Sequence, residues 1–308
     1  MEILTNLKSP TTLWDWFIRV IICGFIYTAI DLVLQFLFMF LQPTTPVGDP
    51  ILGIILRTAA GMIIAFTLGY VSTKYSFSFG TRYMLLLILF LGVFYLLNAI
   101  EYIFFSTVPI SEIFIGLLYQ ILASLLIMAV ITMLFPPEES TDSFVETMKN
   151  FFSGQTKAWW TFRVFVAGIA WLVIYFSFGL IVSPIVVPYY LDPSNGLNLI
   201  IAPFEVLIPL QIIRGILYCF LLIPVMVMAK FEKWRLVLYL AGVFIGLGTL
   251  APMITNQTWP LILIITHTLE LIADGLVFSF ILVILFRKFN GVGMNEQQSF
   301  LTTAISHQ

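Results

Sequence analysis

The sequence predicts an all-α polytopic membrane protein in which eight transmembrane helices form two parallel four-helix repeats. Three observations lead to this prediction: a very apolar composition, eight segments of membrane-spanning length, and residue identities shared by the two halves. Hydrophobic residues make up 60% of the 308 positions, charged residues make up 10%, and the mean hydropathy is +1.05. An average soluble domain is about a quarter charged. The composition therefore excludes a soluble globular protein.

Eight apolar segments are long enough to cross a bilayer, which takes roughly 20 helical residues for about 30 Å of hydrocarbon. These spans lie near residues 16–41, 50–73, 82–105, 110–135, 160–186, 202–229, 234–254 and 260–286. The N-terminus lacks the apolar core and cleavage site of a signal peptide, so we expect the first span to stay in the mature protein. Cys23 and Cys219 match no metal or redox spacing and are expected to be buried.

The Lys and Arg residues predict the topology, because positive residues near the helix ends are retained on the cytoplasmic side. Of the 14 such residues, twelve fall on one side of the predicted membrane. They are Lys8, Arg19, Lys74, Arg82, Lys149, Lys157, Arg163, Lys230, Lys233, Arg235, Arg287 and Lys288. The alternate loops contain none. We therefore predict a multi-pass protein of the cell membrane with both termini in the cytoplasm.

The two halves share a pattern of identities at a constant offset of 144 residues. Eight residues recur within a 23-residue window. The first copy consists of Glu2, Asn6, Ser9, Thr12, Trp16, Arg19, Val20 and Gly24, and the second of Glu146, Asn150, Ser153, Thr156, Trp160, Arg163, Val164 and Gly168. Each half has an even number of spans, so both copies enter the membrane from the same side. This predicts parallel repeats related by a pseudo-two-fold axis along the membrane normal.

The predicted organisation has four parts. A first four-helix repeat covers residues 1–135 and a second covers 159–288. A cytoplasmic linker, 136–158, joins them and contains apolar residues at helical spacing, which predicts a short amphipathic helix at the membrane surface. Residues 289–308 form a polar cytoplasmic tail.

Among the polar and ionisable residues inside the predicted spans, twelve form the set of interest, because charged groups at that depth are costly and normally face the bundle interior. They are Asp31, Arg57, Asn98, Glu101, Glu112, Gln120, Glu205, Gln211, Arg214, His267, Glu270 and Asp274. Counted from the helix ends, all of them fall between the middle of the membrane and the outer interface. We therefore expect a polar cavity that opens outward above an apolar cytoplasmic half.

The eighth span presents His267, Glu270 and Asp274 within an arc of about 60° on one helix face. Arg214 of the sixth span is the expected counter-charge, with Gln211 one turn before it. Pro203 and Pro209 predict a kink in that span, because proline frees backbone carbonyls.

In the first half, Arg57 could pair with Glu101 or with Asp31. The candidate binding residues are Arg214, His267, Glu270, Asp274, Gln211, Glu205, Arg57, Glu101 and Asp31.

Several functions are compatible with this set. The charges could form a structural ion-pair network that fixes helix register. They could serve a small-solute or ion carrier, in which Arg214 holds an anionic group and the carboxylates or His267 carry protons. The chain could instead be a non-catalytic sensor, immunity protein or accessory subunit, or an intramembrane enzyme. We favour the carrier with a pocket open to the outer side.

An enzyme is disfavoured because the spans contain a single histidine, which excludes a two-histidine zinc site and bis-histidine haem. His267 and Glu270 could still share a metal, as Glu and His one helical turn apart do in helix bundles. No cofactor is predicted. With a net charge of −2, the chain gives no basis for nucleic-acid binding. The expected partners are the lipid bilayer and a small-molecule or ionic ligand, and protein partners stay undetermined.

Overall fold

The chain forms a bundle of membrane-spanning helices in the computed structural model. The structure describes residues 8–38, 49–138, 143–229 and 231–287. These ranges contain no β-strand, and Ser106 and Leu199 form a single isolated bridge within them. Eight helices are long and apolar enough to cross a membrane. They coincide with the eight predicted segments, so the prediction of a multi-pass helical membrane protein is confirmed.

Four spanning helices make up the first half. They are α1 (Leu13–Phe38), α2 (Pro50–Lys74), α3 (Phe79–Phe105) and α4 (Ile110–Leu134). The start of α2 is capped by Asp49, whose carboxylate accepts the backbone N–H of Ile51 at 2.8 Å. Pro50 takes the first helical position, where its missing N–H costs nothing. The loop side chains thus set where the second span begins.

The second half contains one surface helix and four spanning helices. They are α5 (Phe144–Phe152), α6 (Lys157–Leu191), α7 (Phe204–Met228), α8 (Lys233–Thr255) and α9 (Leu261–Phe286). Pro209 lies inside α7, whereas Pro203 immediately precedes its first residue. The predicted tail 289–308 lies outside the described residues, as do Glu2 and Asn6 of the first repeat copy.

Helix α6 is longer than its predicted span. Its 35 residues would measure roughly 50 Å at about 1.5 Å each, more than a bilayer core needs. It continues through Pro184 and Pro188 and ends at Leu191, and Asp192 follows as the capping residue outside the spanning segment. The hydroxyl and the backbone N–H of Ser194 donate to the Asp192 carboxylate, and these bonds lower the pKa of Asp192. This carboxylate therefore stabilises the turn that follows the helix.

The amphipathic helix α5 packs against the bundle with part of its apolar face. The Phe144 ring lies 5.7 Å from that of Phe77, and the Phe151 ring lies 5.0 Å from that of Trp160. The hydroxyl of Ser143 caps the helix. Val145 stays exposed. The helix is thus held at the predicted cytoplasmic end by aromatic contacts with the spans.

That end also contains two buried arginines, which the expectation of a purely apolar cytoplasmic half overlooked. Arg82 donates to the hydroxyl of Ser72 at 3.1 Å and to the carbonyl of Phe135 at 3.2 Å. Arg19 donates to the carbonyl of Leu134. Carbonyls at the end of a helix lack intrahelical partners and carry partial negative charge. Both arginines therefore compensate the end of α4, which is why they can be buried there.

Two spanning helices contain a π-helical turn near their middle. The turns comprise Leu91–Leu96 in α3 and Ile245–Leu250 in α8, and they contact each other. Within them, a Cβ added at Gly92 would lie 2.5 Å from the side chain of Leu221, and one added at Gly246 would lie 2.3 Å from that of Thr67. Each π-turn thus packs closely against the second spanning helix of the other half.

Glycines also allow the first two helices of each half to cross closely. A Cβ at Gly61 of α2 would lie 3.0 Å from Gly24 Cα of α1. A Cβ at Gly215 of α7 would lie 2.9 Å from Gly168 Cα of α6. Small residues at helix contacts let membrane helices approach through their backbones. These two crossings position α2 and α7 in the bundle.

Replacing Gly215 by alanine is expected to lower the free energy of unfolding by about 1 kcal/mol, because the methyl group meets backbone that cannot move aside cheaply. Gly242→Ala in α8 is the matched control, since its Cβ meets no atom within 4 Å in the described chain. Alanine there should be neutral or stabilising, as it is the better helix former. Unfolding in mixed detergent micelles measures both variants. Equal effects would contradict the crossing.

Candidate functional site

A cavity of about 660 Å³ lies between α3, α4, α6, α7, α8 and α9. It reaches the loop residues Val108, Leu199 and Thr258. We call the end of the bundle with these loops the outer end, following the predicted topology. Most of the wall is apolar or aromatic. The cavity has the volume of sites that take drug-sized ligands, about 300–1,000 Å³.

Arg214 is the centre of a polar network in the cavity wall. Its Nη1 lies 2.7 Å from Glu101 Oε1 and 3.0 Å from Gln211 Oε1. The indole N–H of Trp171 donates to the same Gln211 oxygen at 3.0 Å. The Arg214 side chain is 2% exposed and the Glu101 side chain is 26% exposed. Glu101 is therefore the accessible partner of a cation that is almost fully buried.

This pairing differs from the one expected from the sequence. Arg214 was predicted to neutralise the acids of α9, and Glu101 was a candidate partner for Arg57. The structure joins Arg214 to Glu101 instead, because the last turns of α3 pack against α7. The ion pair thus connects the first half of the chain with the second.

His267 and Glu270 form a second pair in the wall. The Nδ1 atom of His267 lies 2.9 Å from Glu270 Oε2, one helical turn away. The imidazole centroid lies 5.3 Å from the ring of Trp259 and 6.5 Å from that of Tyr190. Aromatic rings from the loop before α9 and from the end of α6 therefore surround the imidazole.

Asp274 shares the helix face of this pair but lies behind the cavity wall. It is fully buried, and neither carboxylate oxygen finds a hydrogen-bond partner among the described residues. The charged and titratable groups whose fields reach it are Arg214, Glu270, Glu101 and Tyr218. The predicted face is thus divided into two groups that border the cavity and one carboxyl behind its wall.

The remaining candidates lie apart from the cavity. Arg57 Nε lies 3.2 Å from Asp31 Oδ2, which selects one of its two expected partners. Tyr119 also donates to the Asp31 carboxylate, and Gln35 accepts from Arg57. Glu205 is exposed in the first turn of α7, away from the cavity wall. The two arginines consequently belong to separate sites.

Sequence reasoning missed the aromatic part of the wall. Tyr102, Tyr175, Tyr190 and Trp259 line the cavity. In the sequence, Tyr102, Tyr190 and Trp259 lie near span ends, where tyrosine and tryptophan are common interfacial anchors, and Tyr175 is one of many aromatic residues within the spans. Their position in a wall rather than against lipid depends on how the helices are rotated.

The described helices bring no group of three or more His, Cys, Asp or Glu side chains together in a metal-ligating arrangement. The His267–Glu270 pair would thus supply two ligands at most from this set. A metal would need further donors from water or a ligand.

The fold and the cavity together define a helical multi-pass membrane protein with a partly polar pocket. Comparison with family models, with characterised proteins and with solved structures finds no match to the chain. The function must therefore be argued from the pocket itself.

Proposed function

We propose that the chain is a carrier that binds a small solute in the cavity from the outer side of the cell membrane. The observation that carries this proposal is the polar wall: Glu101 with Arg214, and His267 with Glu270, border one cavity of about 660 Å³. A purely structural ion-pair network would not need a cavity beside it. Polar groups within the spans of membrane proteins commonly mark substrate or ion pathways.

The charge distribution supports the proposed orientation. The loops that reach the cavity contain no Lys or Arg, whereas Lys74 and Lys157 lie at the opposite helix ends. Because positively charged loops are retained in the cytoplasm, this orientation places both termini inside and the cavity mouth outside.

Equivalent contacts support the proposal of two parallel repeats. The Gly24–Gly61 crossing of the first half corresponds to the Gly168–Gly215 crossing of the second. Trp16 and Trp160, which correspond at the sequence offset of 144, each pack against the last phenylalanine of their half. The ring centroids are 4.9 Å apart for Trp16 and Phe135 and 5.9 Å apart for Trp160 and Phe286.

The ion pair between Arg214 and Glu101 joins the two proposed repeats. Gly61 and Gly215 correspond at an offset of 154, which aligns Arg57 with Gln211 and Arg214 with Ala60. When the two halves are superposed in this way, Arg57 and Arg214 lie about one helical turn apart. The pair between Arg214 and Glu101 has no charged equivalent on the other side of the pseudo-axis.

Cysteine labelling tests the cavity and its orientation. Glu112→Cys and His267→Cys, in a Cys23→Ala, Cys219→Ala background, should react with a membrane-impermeant thiol reagent added from outside. Both native cysteines are fully buried, so their removal eliminates only slow background reaction.

Two further variants serve as controls for this experiment. Asp274→Cys should stay unreactive, because the position lies behind the wall. Lys157→Cys should react only when the reagent reaches the inner side. Folded protein without labelling at 112 and 267, or with labelling from the inside alone, would overturn the proposal.

A further inference from the structure

We propose that the solute is an organic cation with an apolar or aromatic body. This inference rests on the proposed function and specifies its substrate class. It follows from the charge of the cavity wall, from the partner that Arg214 already has, and from the aromatic rings beside the His267–Glu270 pair.

The wall carries more negative than positive groups. Its charged residues are Glu101, Glu112, Glu270 and Arg214, together with the titratable His267. Three carboxylates against one guanidinium leave a charge of −2 with a neutral imidazole and −1 with an imidazolium. A monovalent cation therefore brings the wall closer to neutrality, whereas an anion would add to the excess. Clefts lined by one sign of charge concentrate ligands of the opposite sign.

Arg214 is not available as an anion site. Its side chain is 2% exposed, and its Nη1 is already paired with Glu101 Oε1 at 2.7 Å. An anionic ligand would have to displace Glu101 and leave that carboxylate without its cation. The idea that Arg214 holds an anionic group, suggested by the sequence, is therefore replaced by one in which Glu101 presents the charge.

The aromatic rings near Glu270 favour the binding of a cation there. Trp259 and Tyr190 flank His267, and the Phe105 ring lies 6.3 Å from Tyr190. Cations lie favourably over tryptophan and tyrosine faces within about 6 Å of the ring centre. Glu270 borders the same part of the cavity. An ammonium or related group placed there would meet both a carboxylate and π-faces.

The size of the cavity favours an organic molecule over a bare inorganic ion. A volume of about 660 Å³ exceeds what a single ion needs, and the lining is largely apolar, as in sites for small organic ligands. The acidic residues are also dispersed. Glu101 lies on α3, Glu112 on α4 and Glu270 on α9.

Protection of a cysteine in the wall tests the sign of the ligand charge. Gly116→Cys, in the background without native cysteines, places a thiol in the wall at a position where a Cβ meets open space within the described structure. Tetraphenylphosphonium and tetraphenylborate are the two probes, since they have the same shape and opposite charge. The cation is expected to slow labelling at a concentration about tenfold or more below that of the anion.

A control separates binding from adsorption of the probes to micelles or lipid. Glu205→Cys is exposed in the first turn of α7 and lies apart from the cavity. It should be labelled equally with and without either probe. Adding Glu270→Gln or Glu112→Gln to Gly116→Cys should weaken protection by the cation severalfold. Both glutamine variants are tested, so that the result does not depend on the folding of a single variant.

The outcomes distinguish the two proposals. If the anion prevents labelling of Gly116→Cys at the same concentration as the cation, the cation proposal is overturned. It is also overturned if neither probe prevents labelling. In both cases the proposal of an outward-facing cavity stands. Absence of labelling at 116 in folded protein would overturn both. Selective protection by the cation, reduced in the glutamine variants, would support both.

Discussion

Replacing Arg214 by glutamine is expected to lower the free energy of unfolding by about 3–5 kcal/mol, the cost of removing one partner from a buried ion pair. Arg214 is 2% exposed, and its guanidinium contacts Glu101 and Gln211. Without the guanidinium, Glu101 loses its cationic partner in the cavity wall. Unfolding in mixed detergent micelles, followed by tryptophan fluorescence, measures the loss.

A double-mutant cycle separates the ion pair from other effects of the substitution. Glu101→Gln combined with Arg214→Gln should recover much of the loss, because no unpaired charge then remains. Arg57→Gln is the matched control. The carboxylate that this substitution leaves behind, on Asp31, still accepts a hydrogen bond from Tyr119, so we expect a smaller loss than for Arg214→Gln. An Arg214→Gln variant no less stable than Arg57→Gln would show that the pair does not hold the two halves together.

The position of this pair explains why its loss should be so costly. It joins α3 of the first half to α7 of the second, where the π-turn of α3 also packs against Leu221. The apolar contacts between membrane helices gain little from the hydrophobic effect, since lipid is equally apolar. A charged contact between the halves therefore has a larger share in specifying how they assemble.

The spans could be predicted from sequence because the bilayer imposes their length and composition. Seven of the eight predicted segments end within a few residues of the observed helices, and the exception is α6. It continues past its predicted end because Pro184 and Pro188 are tolerated within the helix. Hydropathy predicts the length of chain that crosses the membrane. Where a helix ends beyond that length depends on local capping residues such as Asp192.

The candidate residues were easier to predict than their partners. Intramembrane charge is costly wherever it lies, so Arg214 and Glu101 stood out in the sequence. Which acid meets Arg214 depends on the rotation and contacts of α3 and α7, and helical periodicity gives only the face within one helix.

The polar face of α9 shows what helical periodicity predicts and what it does not. Periodicity placed His267, Glu270 and Asp274 on one side of the helix, and the structure has them there. Two of them border the cavity and the third lies behind it. Whether a residue borders the cavity or lies behind its wall depends on the side chains of the neighbouring helices. The sequence of one helix gives no information about them.

Replacing Asp274 by alanine is expected to raise the free energy of unfolding by about 1–3 kcal/mol, the usual cost of a buried polar group without partners. Asp274 is 0% exposed, and its carboxylate oxygens accept no hydrogen bond within the part of the chain that the structure describes. Such a group costs stability whether it is charged or neutral, although more when it is charged. The micelle unfolding experiment used for Arg214 measures the gain.

Glu270→Ala is the control for the Asp274 prediction, because Glu270 lies on the same face of α9 and has His267 as its partner at 2.9 Å. That substitution should be destabilising or neutral. A loss of stability in Asp274→Ala as large as that expected for Arg214→Gln would show that the carboxyl is structural. A gain would mean that the chain keeps a destabilising residue beside its cavity, as proteins do where function requires strain or charge.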